Sequence, residues 1–541
     1  MISHSTSQSG DRRLILFLLL AALLLFCIDL NGLPLRDWDE GTVAQVAREM
    51  SQGQTLQAWL HPQLWGEPYL NKPPLMHGLI ALVYRLWGVH AWTTRLPGAI
   101  LTASSVPLLF MLGREIFPTR LPALMGTLVY LTLLPVVRHG RLAMLDGAVV
   151  CFFIATLWML VRATSSRAKP MRHSHPHWYL GIGIGFTLMC LTKGILGILL
   201  LAIALTFLAW NAPKQFSFSQ LWGGLLLGAI PIVSWYLLQW QYYGQQFIDT
   251  AVVTQSFERI WSSVERHEGP PWFYLLELLK YSWPWLMFWP IGFWLTWRSR
   301  HHSWAKLLIV WTVGYSLAIS LMSTKLPWYI FPLYPAVALT CGVALDAAWN
   351  MHRYWNGRSL SLKRLPKTWG IFFILFSIVG AVGIGYASPW GKEPSIALAL
   401  TFLAVTLTSG LAALFLMRQQ LRFVPALFMG FYIALMCLMV SDHWLWELGE
   451  DFPVLPVSVL VQQSTPPGQI IYISHDYERP SLNFYSQRRI IAQSTENLQA
   501  LWQQSQPVYL LVKEIFPYQN LQTQITELGI TNEWHLILNQ P

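Results

Sequence analysis

The chain has 541 residues, of which 54% are hydrophobic and 11% charged, with a mean hydropathy of +0.41. Soluble domains carry about a quarter charged residues, so a water-soluble enzyme is excluded. The net charge of +10 is scattered through short loops rather than gathered on one polar face, which speaks against a nucleic-acid partner and for membrane topology.

The apolar residues arrive in blocks of roughly 17 to 25, the length a helix needs to cross a bilayer, and predict an all-α polytopic membrane protein. The first block, residues 14–30, follows Asp11, Arg12 and Arg13 without a small-x-small cleavage site and reads as a retained first span. Residues 75–87 are apolar but few, and are interrupted by His77, Gly78 and Arg85; they read as a re-entrant or interfacial helix. Further spans are predicted at 94–112, 119–137, 141–162, 177–191, 194–210, 219–240, 284–297, 304–322, 326–348, 369–388, 393–417 and 422–440, thirteen in all. The five cysteines, Cys27, Cys151, Cys190, Cys341 and Cys437, lie inside apolar runs and read as small buried hydrophobes.

With Arg12 and Arg13 cytoplasmic, this count places the basic clusters at 114–120, at 162–172 with Arg167 and Lys169, at Arg298 and Arg300, at 353–367 with Arg358, Lys363 and Arg364, and at 418–422 on that same side. A full crossing at 75–87 would turn them all outward. The opposite face then holds a first external loop within 31–93, a second large loop at 241–283, and the tail 441–541, whose strand-like runs alternate with polar helical stretches into a small α/β extramembrane domain. Residues 1–440 form the transmembrane domain. No internal repeat supports a transporter built from inverted halves.

The external face carries the groups with chemical potential. The first loop runs Arg36-Asp37-Trp38-Asp39-Glu40-Gly41 into an amphipathic helix with Val43, Val46, Ala47 and Met50 on one face, at the spacing of a helix on the membrane surface. Asp39 and Glu40 read either as an N-cap and first-turn acid or as catalytic carboxylates. Lys72, stiffened by Pro73 and Pro74, either snorkels to the interface or faces a polar site. Arg138, Arg141, Asp146, Lys193 and Lys325 repeat the theme on the same face, and ionisable groups at membrane depth usually face a cavity. His267, beside Arg266 and Glu268, reads as a metal ligand, a phosphate contact or an exposed loop histidine.

Taken in order, Asp39-Glu40, Ala47-Arg48-Glu49-Met50, Asn71-Lys72-Pro73-Pro74-Leu75, Arg95-Leu96-Pro97, Leu145-Asp146, Leu191-Thr192-Lys193-Gly194 and Thr324-Lys325-Leu326-Pro327-Trp328-Tyr329 resemble the lipid-carrier-dependent GT-C glycosyltransferases. The nearest branch is the aminoarabinose transferases that modify lipid A, related to the protein O-mannosyltransferases, over residues 30–340. The resemblance implies an inner-membrane enzyme of a bacterium that moves a sugar from a polyprenyl phosphate to a lipid, glycan or protein acceptor at the periplasmic face, with no organic cofactor. It implies Asp39 at the catalytic centre with Glu40 beside it, phosphate contact by Lys72 and help from Lys193 in holding the donor; by residue type Arg138 or Arg141, and Lys325, are further candidates to balance the donor's charge, and Asp146 to orient a cation or a loop. It also implies a divalent metal held by His267 and an acidic residue just before Lys72, where this chain has Asn71.

A polyprenyl phosphate is already a good leaving group, so such a site needs cations more than a general acid, while the acceptor needs a base. A single displacement inverts the anomeric centre. The rival readings are a membrane transporter of lipid or sugar, expected to spread polar residues through the membrane's depth, and a structural scaffold, which leaves the external carboxylates and lysines without a role.

Overall fold

A computed structural model describes residues 3–164, 176–262, 267–350, 354–355, 358–359, 364–446, 453–503, 506–514 and 524–540. Arg167, Lys169, Arg266 and Lys363 lie outside the described residues. The chain divides into two compact units.

The first unit comprises Met1–Asp29, Leu70–Met76 and Leu96–Trp444 and is helical. Seven described helices are long and apolar enough to cross a membrane: Ala91–Ile116, Asp146–Thr164, Ser219–Tyr243, Ser303–Leu321, Pro327–Trp349, Lys367–Ala387 and Ile396–Met417. The chain is a multi-pass membrane protein. Helices Pro176–Lys193 and Ser219–Tyr243 pack at their glycines: a Cβ on Gly228 would collide with the backbone of Gly183, so only glycine permits the approach. Close backbone contact at small residues is how helices gain van der Waals attraction in lipid.

Two predicted spans have a different form. The stretch 119–137 is two helices, Arg120–Leu131 and Leu134–Arg141, meeting at 57°, because Pro135 cannot donate to the preceding turn. The stretch 284–297 is a 3₁₀ turn, Trp285–Phe288, followed by the ten-residue helix Trp289–Arg298, with prolines at 284 and 290 interrupting the ladder. The predicted interfacial segment is the helix Leu75–Trp87, thirteen residues or roughly 20 Å, short of the bilayer's hydrocarbon.

The second unit comprises Leu30–Tyr69, His77–Arg95 and Leu445–Pro541, so the first loop and the tail belong to one body. The tail's five strands are ordered Arg489–Ala492, Ile470–Ile473, Val508–Val512, Trp534–Gln540, Gln524–Thr531; the first three run parallel and the last two antiparallel. Ile471, Ile473, Ile490 and Leu511 are buried against Val457 and Val461 of the helix Val454–Ser464, while Leu510, Val512 and Ile537 are buried with Leu498 and Trp502. Both faces of the sheet are thus covered, as parallel strands require.

The loop helix Asp39–Gln52 buries Val43, Val46, Ala47 and Met50, the predicted face. That face is covered by Tyr69, Ile80, Ala81 and Tyr84, so it is a protein core rather than a surface presented to lipid. Val43, Val46 and Met50, at about 1.5 to 3 kcal/mol each, carry most of the burial that holds the fourteen-residue helix in place.

Candidate functional site

Three carboxylates open the loop helix, and the structure treats each differently. Glu40 is fully buried and accepts two bonds from Arg95, Nε to Oε1 and NH2 to Oε2, both 2.8 Å, with the Arg36 N–H on Oε2 at 2.9 Å. Arg95, itself fully buried, gives its remaining donors to the carbonyls of Leu30, Leu33 and Pro34. All five guanidinium N–H groups are therefore engaged, and the pair fixes the entry to the loop. Asp37 is held at Oδ2 by Arg479, at 2.7 Å from Nε and 2.6 Å from NH2, and at Oδ1 by the Ser481 N–H at 3.0 Å and the Ser481 hydroxyl.

Asp39 lies between them and keeps a quarter of its side chain exposed, with Arg36 at 3.6 Å. It is not the N-cap expected from the sequence. Trp38 occupies that position without a side-chain cap, at φ 58° and ψ −69°, and the Asp39 N–H donates to the Asp37 carbonyl at 2.7 Å. This is a γ-turn of the rare, strained, positive-φ kind, and it starts the helix one residue early. Burial pushes the Tyr69 phenol up, and the negative charge of Asp39 adds to the effect, so the phenol stays neutral.

In the first unit, Lys72 and Lys193 line one pocket with Asn71, Trp235, Tyr236 and Gln255. Lys72 Nζ donates to Gln255 Oε1 at 3.4 Å. Lys193 ends the helix Pro176–Lys193, and Asp146 begins the helix Asp146–Thr164, each at the terminus its charge favours; they pair at 2.6 Å, both largely buried. Gly194, at φ 53°, makes the turn that ends the lysine's helix inside this pocket. Two ammonium groups, one of them already matched by Asp146, stand beside an amide and aromatic faces, the kind of donors a phosphate oxygen takes.

The other predicted cations have local duties. Arg141 is fully buried, donates to the carbonyls of Leu25, Asp29 and Met439 at 3.0 to 3.3 Å, and lies over the Trp444 ring. Arg138 donates to the Trp444 carbonyl at 3.0 Å. Lys325 is buried and donates to the carbonyls of Ile319, Ser320 and Met322, which end the helix Tyr315–Leu321. Burial lowers the Lys325 ammonium from its usual range. Lys325→Ala is therefore expected to lower thermal stability in detergent, by roughly 1 to 3 kcal/mol for the acceptors left unpaired, while the donor KM of the folded fraction stays unchanged.

His267 is exposed, and its carbonyl accepts from the Lys325 N–H at 2.9 Å. Among the described residues no three His, Cys, Asp or Glu side chains are grouped to hold a metal, and Asn71 supplies a neutral amide where a carboxylate is implied. One imidazole and a neutral amide fall short of the ligand set of a metal centre.

Sequence reasoning missed the Asp37–Arg479 pair, which joins positions 442 apart, and Gln255, which no local pattern marks. Arg95 carried a signal, an arginine entering an apolar run, without one for its partner.

Residues 71–237 match the family model described as dolichyl-phosphate-mannose-protein mannosyltransferase. The chain is 28% identical over 377 residues to undecaprenyl phosphate-alpha-4-amino-4-deoxy-L-arabinose arabinosyl transferase 2 of Pseudomonas fluorescens, covering 68% of this chain. It is 29% identical over 387 residues to the corresponding transferase of Pectobacterium carotovorum, covering 69%. The matched segment spans 65% of each relative's own length, just under two thirds. Among solved structures, ArnT from Cupriavidus metallidurans bound to undecaprenyl phosphate superimposes with a TM-score of 0.76 at 19% identity, over 97% of both chains. The archaeal oligosaccharyltransferase AglB from Archaeoglobus fulgidus gives 0.53 at 11% identity, over 93% of this chain and 70% of its own. With the fold of the first and the ordered motifs of the sequence, the chain resembles the GT-C glycosyltransferases of the aminoarabinose transferase and protein O-mannosyltransferase group.

Proposed function

We propose that this protein is a membrane glycosyltransferase of a bacterial inner membrane, which takes a sugar from a polyprenyl-phosphate donor and passes it to a lipid, glycan or protein acceptor. The observation that carries the reading is the pocket of Lys72 and Lys193, in a fold shared with a transferase bound to undecaprenyl phosphate. The arabinosyl transferase relatives favour an aminoarabinose-type donor, and the sequence resemblance favours lipid A as the acceptor.

In this reading the phosphate rests on Lys72 and Lys193. As the anomeric C–O bond breaks, its electron pair passes to the phosphate oxygen, and the two ammonium groups balance the developing charge. Lys193, already matched by Asp146, is held in place by that pair. The sequence resemblance assigns the base to Asp39: it takes the proton of the acceptor hydroxyl or amine as that oxygen or nitrogen bonds to the anomeric carbon, and one displacement inverts that centre. Glu40 positions the loop through Arg95 rather than meeting substrate. The reaction takes place at the periplasmic face, with thirteen crossings, a cytoplasmic N-terminus and the tail outside, as the distribution of basic loops supports.

The test uses the purified full chain in liposomes with undecaprenyl phosphate-linked 4-amino-4-deoxy-arabinose and lipid A. Release of undecaprenyl phosphate coupled to acceptor modification is expected. Lys72→Ala should raise donor KM or lower turnover by about 10- to 100-fold, the worth of one charge-assisted contact. Unchanged KM and turnover in that variant would return Lys72 to simple interfacial snorkelling.

A further inference from the structure

The parallel strands of the tail present a loop and helix start beyond the carboxyl end of Ile470–Ile473, where α/β sheets usually bind ligands. Here that place is filled by the chain's own Asp37. Arg479 precedes the helix Pro480–Ser486, and Ser481 belongs to its first turn; together they saturate both Asp37 oxygens. The contact is wider than one pair. The Arg48 guanidinium donates to the Phe484 carbonyl at 2.8 Å and lies 3.9 Å over its ring, and the Leu35 N–H donates to the Tyr485 hydroxyl at 2.8 Å. A Cβ on Gly41 would meet the Ser481 nitrogen at 2.5 Å, so the loop helix needs glycine there to accept the tail.

Asp37 is thus fixed from the tail and Glu40 from Arg95, and the two residues between them carry the strained turn at Trp38. A positive-φ tryptophan costs about 1 to 3 kcal/mol and persists only where its surroundings over-determine it, a condition met mostly at functional sites. The backbone that carries Asp39 is therefore anchored on both sides.

We infer that Arg479 is a positioning residue: through Asp37 it holds the Trp38 turn that aims the Asp39 carboxylate, which makes the tail a part of the catalytic apparatus. This inference rests on the reading of Asp39 as the base.

The test is steady-state kinetics on the full chain in liposomes with the donor and acceptor named above, with turnover expressed per folded molecule. Arg479→Ala is expected to lower kcat by about 10- to 100-fold, the cost of a base displaced by an ångström or so, with donor KM within about twofold of the parent. Arg479→Lys keeps the charge but loses the two-pronged contact and should fall between the two. Arg488→Ala serves as the control, since Arg488 is buried in the tail against Thr465 and does not touch Asp37; it should reduce the yield of folded protein and leave kcat per folded molecule unchanged. Parent-like kcat in folded Arg479→Ala, or equal kcat losses in Arg479→Ala and Arg488→Ala, would overturn the inference. Should Arg479→Ala fail to fold, Arg479→Lys and Asp37→Asn decide it: a kcat loss at constant donor KM supports it, and parent-like kcat overturns it. Turnover surviving in Asp39→Asn, run in parallel, would instead remove the assignment of Asp39 itself.

Discussion

Asp39→Asn is expected to lower kcat by about 10²- to 10⁴-fold, the usual contribution of a general base, while the protein inserts and unfolds like the parent. The expectation follows from how the loop divides its three carboxylates. Asp37 is held by Arg479 and Ser481 and Glu40 by Arg95 and the Arg36 N–H, so each serves the protein's own framework. Asp39 is the most exposed of the three and sits after a strained turn. Asparagine keeps its shape and removes the basicity. Near-parent turnover in membrane-embedded Asp39→Asn would reduce Asp39 to a first-turn acid favoured by the helix dipole.

The largest stability effect is expected at Arg95. Arg95→Ala leaves the Glu40 carboxylate buried without its counter-ion and strips three carbonyls of their donors, a loss of roughly 3 to 5 kcal/mol. Thermal unfolding in detergent should show a clear fall in midpoint, and so should Glu40→Gln, with a smaller drop because an amide still accepts one N–H. The double variant Arg95→Met with Glu40→Leu separates the causes. Removing both charges relieves the uncompensated burial and should recover much of the stability, yet turnover should stay low because the loop at residues 30–40 then keeps only its hold on the tail and loses its anchor at Glu40. Recovery of both stability and turnover would show that the pair does not position the loop.

Much of the architecture was legible because apolar length and periodicity dominate it. The helix Leu75–Trp87 has the predicted bounds, the strands at 470–473, 508–512 and 534–540 fall on the predicted runs, and the apolar face of the loop helix is the one its spacing indicated. What covers that face was not legible, since a stripe of Val and Ala packs as readily on Ile80 and Tyr84 as on lipid. The bend between Leu131 and Leu134 and the broken stretch at 284–298 depend on where proline removes a donor, and hydropathy alone does not register that.

The candidate site was legible in residue type more than in duty. Lys72 and Lys193 share a pocket although 121 positions separate them, and Asp146 meets Lys193 as a charge partner. Arg141 and Lys325 look the same in sequence, yet each donates to carbonyls that end helices, because a buried cation and a helix C-terminus satisfy one another. The tail's hold on Asp37 depends on tertiary contact across most of the chain, which no local pattern encodes.

The central claim, sugar transfer from a polyprenyl phosphate, is tested most directly by mass spectrometry of membrane lipids from cells lacking the protein, complemented with the intact chain or with Asp39→Asn. The same polyprenyl-phosphate sugar should accumulate in the deletion and in the Asp39→Asn strain and return to its normal level with the intact chain. Unchanged lipid-linked sugars in both defective strains, with a sugar or lipid misplaced across the membrane instead, would contradict the account.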